Sequence, residues 1–384
     1  MLLEYRVTNF FSFKETTNVS FKLPSNCPKD MSYGKTYSNI LCVKGKNASG
    51  KTNLLKALSF LAEFCTDSFS KKPDEEILLD NFYDSEEDTE FFIEFMDDTV
   101  LFQYELILNK NNIVRETIYR KGQRKTKIIE RKGNKLTSII SELKSLKLMK
   151  LRQNVSLIST AKQYDLGNIQ SVKSIYTFFK SFMSNVNYHG LKSYVPDLNL
   201  LCQLFYEESD SRLFDFVKEI IISCDMGVKN IEIIKHESDL DEIRYVPLFT
   251  HEADGVEHKI SYHTESSGTK SLFTQLARYK LILDTGGVLC LDEFDINLHP
   301  QILPLLIDLF LNPKKNYNDA QLIFTTHNSD IMDLLGKYRV YIVEKQSNES
   351  FAYRLDEIPG DILRNDRSIS HVYNTGKIGG QPRL

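Results

Sequence analysis

Gly45-Lys46-Asn47-Ala48-Ser49-Gly50-Lys51-Thr52 fits the pattern G-x-x-x-x-G-K-[ST]. Each residue type has a job if a polyphosphate is the ligand. Gly45 and Gly50 let the loop fold so that backbone N–H groups around Asn47, Ala48 and Ser49 turn inward on the anion. Lys51 then reaches the β and γ phosphates, and Thr52 ligates Mg²⁺. The bland alternative is a chance match in a Gly/Lys-rich turn. Val288-Leu289-Cys290-Leu291-Asp292-Glu293 is an apolar run ending in two acids. There Asp292 is placed to hold Mg²⁺ through water and Glu293 to polarise an attacking water. Such runs are common, and this one gains meaning from the phosphate loop upstream. Ser266 and Gly268, within Glu265-Ser266-Ser267-Gly268-Thr269-Lys270, offer a hydroxyl, backbone N–H groups and a helix dipole end. That is either a second anion site or an ordinary N-cap. Gln321-Leu322-Ile323-Phe324-Thr325-Thr326-His327 is an apolar strand with a polar end, which brings His327 out at the carboxyl edge of a sheet, where ligand sites of α/β folds lie.

These residues need particular elements beneath them. The apolar run Ile40–Val43 predicts a strand feeding the glycine-bearing loop, and Leu54, Leu55, Leu58, Leu61 and Ala62 predict an amphipathic helix after it. Alternation from Leu3 to Val7 and again at Val19 and Phe21 reads as an N-terminal hairpin. Period-2 runs between 89 and 132, separated by turn residues, predict an antiparallel meander. Residues 136 to about 225 read as helical, with strands returning at Ile231–Lys235 and Val256–Tyr262. A helix from Thr269 to about Leu283 ends at Gly286-Gly287. Strand and helix then alternate with short connections, which means a parallel sheet covered by helices.

The composition, 41% hydrophobic and 26% charged over 384 residues, belongs to a globular chain and excludes a fibrous or wholly disordered one. The six cysteines form no CxxC pair and read as reduced core thiols of a cytoplasmic protein. No basic-then-apolar leader and no long apolar run are found, so no membrane span is expected. The formal net charge of -4 conceals segregation. An acidic run occupies 74–98, and twelve Lys and Arg face only Glu130 and Glu142 between 120 and 152. That basic stretch is suited to nucleic-acid phosphates, or equally to a solvated face or the acidic run of the same or a neighbouring subunit.

Taken in order, the phosphate loop, Ser-x-Gly helix start, Asp-Glu strand and His strand resemble the ATP-binding-cassette (ABC) ATPases, in the branch of SMC, RecF-type and OLD-family proteins. On that resemblance, Glu265–Leu272 matches the signature motif, Asp292–Pro300 matches Walker B running into the D-loop with Asp295, and His327 matches the switch histidine. Val7–Phe13 resembles the first hairpin of the branch, and Tyr373–Pro382 the tail of RloA-like phage-defence ATPases. The resemblance covers both ends of the chain and hardly touches 135–240.

It implies an α/β ABC-ATPase core with an antiparallel lobe, ATP and Mg²⁺ as ligands, and a head-to-tail homodimer or higher homo-oligomer. Each ATP would lie between one Gly45–Thr52 loop and the other copy's Ser266–Gly268 turn. The Q-loop glutamine that completes the Mg²⁺ ligands is assigned to Gln163, with Gln103 behind it. The expected division is 1–135 as the N-terminal ATPase lobe, 136–240 as a helical insertion and 241–384 as the C-terminal lobe. With no second catalytic cluster in the chain, the leading expectation is the ATPase subunit of a two-component defence system whose TOPRIM-nuclease-like effector is separate. The alternative is a RecF-like DNA-binding repair ATPase; a transporter subunit fits less well.

Overall fold

A computed structural model describes residues 1–384 except 165–168, 193–196, 208–211, 226, 238–242, 361, 364–366 and 381–384. Gln381 and Pro382, at the end of the tail quoted above, lie outside the described residues.

The run Ile40-Leu41-Cys42-Val43 is apolar on both faces, as a strand sandwiched between layers must be. It forms β3 (Ile40–Gly45), inside a six-stranded sheet ordered β18 (Glu349–Arg354), β17 (Val340–Gln346), β3, β16 (Gln321–Thr325), β15 (Val288–Leu291), β9 (Phe182–Ser184). All neighbours are parallel except β17 with β18. Leu41 and Val43 face one buried cluster and Ile40 and Cys42 the other, so this strand separates two cores. Cys290 of β15 and Ile323 of β16 join the first cluster, while Leu289 and Leu322 join the second.

The first core lies between this sheet, the helix Lys51–Asp67 and a seven-stranded antiparallel sheet. That second sheet runs β2 (Thr17–Ser20), β1 (Leu2–Thr8), β4 (Thr89–Asp97), β5 (Val100–Leu108), β6 (Ile113–Lys121), β7 (Lys125–Lys132), β8 (Lys135–Ile139). Its strands alternate as expected of a half-buried sheet: Tyr5 and Val7 point inward, while Arg6 lies 3.9 Å over the Phe92 ring on the outer face. A buried polar knot fastens it to the helix Leu157–Gln163. Glu116 lies 3.3 Å from Arg131, accepts from Tyr104 Oη at 2.8 Å, and accepts from the N–H of Leu157 at the helix start. Arg131 donates to the Val155 carbonyl at 2.9 Å.

The segment 136–240, expected to be helical, is mixed. It holds the helices Leu157–Gln163, Gln170–Lys180, Leu198–Glu207 and Arg212–Cys224, but also β9 and the hairpin β10 (Val186–Asn187) with β11 (Gly190–Leu191). Since β9 pairs with β15, this part of the segment is built into the core sheet. A third sheet of β12 (Val228–Glu237), β13 (Ile243–Ala253) and β14 (Val256–Ser261) packs Phe249 against Phe273 of the long helix Ser267–Thr285.

Candidate functional site

At the carboxyl edge of β3 the chain turns through Gly45–Gly50 and enters the helix Lys51–Asp67. Gly50 starts that helix at φ 111°, and a Cβ there would sit 2.7 Å from Ser350 Oγ and 2.9 Å from Ser12 Oγ. Only glycine tolerates both the dihedral and the crowding. The loop is braced from both sides: Ser350 Oγ donates to the Ser49 carbonyl at 2.6 Å, Ser350 N donates to the Ser12 carbonyl, and Asn53 Nδ2 donates to Ser12 Oγ at 3.0 Å. Asn47 and Ala48 stand exposed at the crest, Ala48 with φ 60°. Lys51 Nζ curls back onto the carbonyls of Gly45 and Lys46 at 3.0 and 2.9 Å, so the ammonium lies within the loop's own curve. Burial pulls its pKa down, against the pull of Asp292 and Glu293. No side chain caps the helix start, and Ser49 Oγ is buried with no partner. Unfilled donors beside a held cation at a helix N-terminus are the chemistry of a phosphate cradle.

Asp292, immediately after β15 and 5% exposed, gathers three elements. Thr52 Oγ1 donates to one carboxylate oxygen at 2.6 Å, and Thr325 Oγ1, from the end of β16, donates to the other at 2.6 Å. Thr325 Oγ1 in turn accepts from the N–H of Glu293 at 2.8 Å. Glu293 has φ 52°, a costly setting for a residue with a side chain, and it sits beside the loop's lysine. Asn185, directly after β9, pairs doubly with the Asp292 backbone: its Oδ1 accepts from Asp292 N at 2.7 Å and its Nδ2 donates to Asp292 O at 2.8 Å. The loop beyond Asn185 carries Tyr188, whose hydroxyl donates to Asp80 at 2.6 Å.

His327 is exposed at the end of β16, and its N–H donates to the Asp295 carboxylate at 3.1 and 3.3 Å. Ser266 caps the helix Ser267–Thr285, accepting from Thr269 N at 3.1 Å, with Glu265 buried behind it on His251 at 2.5 Å. A Cβ on Gly268 would lie 3.4 Å from the Asn297 carbonyl, which puts this turn against the segment that follows Glu293. No described hydrogen bond joins the Ser266–Gly268 turn to the Gly45–Thr52 loop of the same chain. Ser266 and Ser267 face solvent.

Gln163 is a correction. It ends the short helix Leu157–Gln163 and is exposed there. Ser159 of that helix bonds Thr66, which lies about 21 Å of helix rise beyond Thr52. The structure therefore does not bring Gln163 to Asp292, nor Gln103, whose amide donates to Glu94 on the meander. Asn185 stands against Asp292 instead. Nothing local marks it, because its three-residue strand is recognisable only through its pairing with β15. The bracing serines, Ser12 and Ser350, are equally silent in sequence.

The basic stretch is partly spent inside the molecule. Arg120 pairs with Glu142 at 3.0 Å, Lys125 with Glu105 at 3.8 Å and Lys127 with Glu130 at 2.8 Å, while Arg131 is buried against Glu116. None of these partners belongs to the acidic run 74–98.

Residues 40–333, more than half of the 384, match the family described as "AAA domain, putative AbiEii toxin, Type IV TA system". The chain belongs to this family. No curated protein matches it at a significant level. Among solved structures this AAA-domain chain is similar to an SMC head bound to the C-winged helix domain of ScpA, with TM-score 0.51 and 12% identity over 92% of this chain and 97% of that one. It also matches an SMC head domain from Thermotoga maritima, with TM-score 0.46 and 14% identity over 92% and 98%. At 12% identity the first likeness is one of fold: an α/β ABC-type ATPase head. AAA-domain membership and this fold both accord with a nucleotide site at the carboxyl edge of the core sheet. No helix among the described residues is long and apolar enough to cross a membrane.

Proposed function

We propose that this AAA-domain protein binds and hydrolyses ATP as a nucleotide-gated dimer, and that it is the ATPase subunit of a two-component defence system acting on a separate effector. The observation that carries the ATPase reading is the meeting of Thr52, Asp292 and Thr325 within 2.6 Å contacts beside Lys51. A hydroxyl and a carboxylate so placed are the hard oxygen donors Mg²⁺ takes, so Thr52 and Asp292 would hold the ion. When bound, it would offset the charge of the phosphates. Lys51 would leave its loop carbonyls for the β and γ phosphates. Glu293, whose N–H is held by Thr325, would be the base that orients water, and His327, the match to the switch histidine, would contact the γ-phosphate.

The dimer reading rests on the Ser266–Gly268 turn, whose serines are exposed and which makes no described hydrogen bond to the phosphate loop of its own chain. A second copy's turn would close each site. The defence reading draws on the family's description, which names a putative toxin of a type IV system, and on the tail's resemblance to RloA-like ATPases. The partner in the SMC head structure is a winged-helix domain of ScpA, which agrees with a head that acts through a second polypeptide.

Lys51→Ala should lower ATP affinity roughly 100-fold, because the triphosphate loses its charge-assisted contact. Unchanged affinity by calorimetry would reject the phosphate-loop assignment. Phage plating on cells carrying the gene with its neighbours tests the defence role: protection should vanish with Glu293→Gln.

A second reading, a RecF-type DNA-binding ATPase, is favoured by Lys121, Arg124, Lys132, Lys135, Lys144, Lys147 and Lys150, which form no ion pair with a described acidic residue. If it holds, reversing Lys121, Arg124, Lys144 and Lys147 abolishes DNA-stimulated hydrolysis. If the defence reading holds, basal hydrolysis and protection both survive.

A further inference from the structure

Lys44 is 2% exposed and sits next to Gly45 in β3, yet it has no acidic side chain within ion-pair distance among the described residues. Burying an ammonium without a carboxylate is costly, and an aliphatic residue of similar length would fill the strand position without that cost. Among the described residues its ammonium makes one hydrogen bond, from Nζ to the Thr326 carbonyl at 3.0 Å. The same peptide unit is held at its other end, where the N–H of His327 donates to Asp295 at 3.1 Å. One peptide plane, the one that sets where the His327 side chain leaves the sheet, is thus gripped at its oxygen by a cation and at its nitrogen by a carboxylate. Burial pulls the pKa of the ammonium down, Cys42, Asp295 and Asp330 act against that and Lys51 adds to it, and the Tyr373 ring lies 5.5 Å from the ammonium. Tyr373 is itself pinned, its hydroxyl donating to the Gly380 carbonyl at 2.9 Å.

We infer that Lys44 is a positioning residue for ATP hydrolysis: with Asp295 it clamps the Thr326–His327 peptide and so fixes the switch histidine relative to the phosphate loop. The two ends of the clamp come from the strand that carries the loop and from the segment two residues past Glu293. A shift of either is therefore passed to His327 through a single rigid plane.

This inference rests on the ATPase reading, and its test separates the two. Lys44→Met and Lys44→Gln are compared with wild type for steady-state ATP turnover and, separately, for ATP affinity by calorimetry with Mg²⁺. Lys44→Met should lose about 10- to 100-fold in kcat, the scale of a misplaced group, with affinity within about threefold. Lys44→Gln, which keeps a donor, should retain most of the turnover. In a His327→Ala background Lys44→Met should cost nothing further, because the residue it positions is gone. Unchanged kcat, a loss of affinity instead of turnover, or an additive loss on top of His327→Ala overturns the clamp. If Lys44→Met melts below the assay temperature, Asp295→Ala, which removes the acceptor of the His327 N–H, frees the other end of the peptide. It should show the same turnover loss, again absent without His327. No hydrolysis by wild type would remove the ATPase reading and the clamp with it. Normal wild-type hydrolysis with an indifferent Lys44→Met removes the clamp alone.

Discussion

Thr325 is the residue on which the proposed chemistry turns, because its one hydroxyl donates to Asp292 and accepts from the backbone of Glu293. This explains how Glu293 is kept at φ 52°: the surrounding bonds fix a conformation the residue would not choose. Glu293→Gln leaves that backbone and the Lys51 loop intact. It should therefore retain ATP while hydrolysis falls roughly 10²- to 10⁴-fold, the usual worth of a positioned base. Single-turnover assays check it, and undiminished turnover would show that another group activates water. What was readable at this scale was whatever local order enforces. Gly50, Lys51 and Thr52 follow one another across a strand, loop and helix, so their neighbourhood is set by the chain itself. Gln163 was misread and Asn185 missed because the position beside Asp292 is filled by a residue 107 positions away, a contact that no spacing encodes.

Among the elements, the helix Leu157–Gln163 and the meander are joined by a charge pair with no exposed surface, Glu116 and Arg131. Arg131→Met leaves Glu116 buried and uncompensated, and should cost about 3–5 kcal/mol. Replacing both with apolar residues should cost less, a non-additivity measurable by denaturant unfolding. The helix Ile369–Asn374 is held differently. Asp333 accepts from Ser368 Oγ at 3.0 Å, from the N–H groups of Ile369 and Ser370, and from Ser370 Oγ. Burial alone would raise its pKa, but bonds from Ser370, Ser368 and Ile369 hold the carboxyl below its ordinary range. A depressed folded pKa gives stability that is present above the unfolded value and is lost as pH falls through the folded one. Asp333→Asn should thus lower the melting temperature by about 1–2 °C near pH 7, and the gap to wild type should close below about pH 4. A gap that persists into acid would mean the bonds do not depend on the charge. Strands with strong alternation, such as β4 to β7, were legible from sequence. β9, β10 and β11 were not, being two or three residues long and stabilised only by what lies beside them.

For the molecule as a whole, the exposed signature-like turn predicts nucleotide-dependent association. With Glu293→Gln and ATP, the sedimentation coefficient should move from monomer to dimer, and ADP or Ser266→Arg should prevent it. A monomer at all ATP concentrations would sink the composite-site reading while leaving the nucleotide site intact. Charge segregation, visible in the sequence, was a weaker guide. Folding spends several of the basic residues on Glu105, Glu116, Glu130 and Glu142, so the net count between 120 and 152 overstated the cations left for a partner.

The bracing of the phosphate loop also bears on how the protein is made. Gly50 lies between Ser12 and Ser350, and Gln321 bonds both the N–H and the carbonyl of Leu2. The brace is translated roughly 300 residues after the loop, a delay of about 15–60 s at ordinary elongation rates. A nascent chain held on the ribosome with residues beyond 330 unmade should carry the complete phosphate-loop sequence and still fail to retain ATP. The protein would then stay inactive until the strand that carries Ser350 has been synthesised.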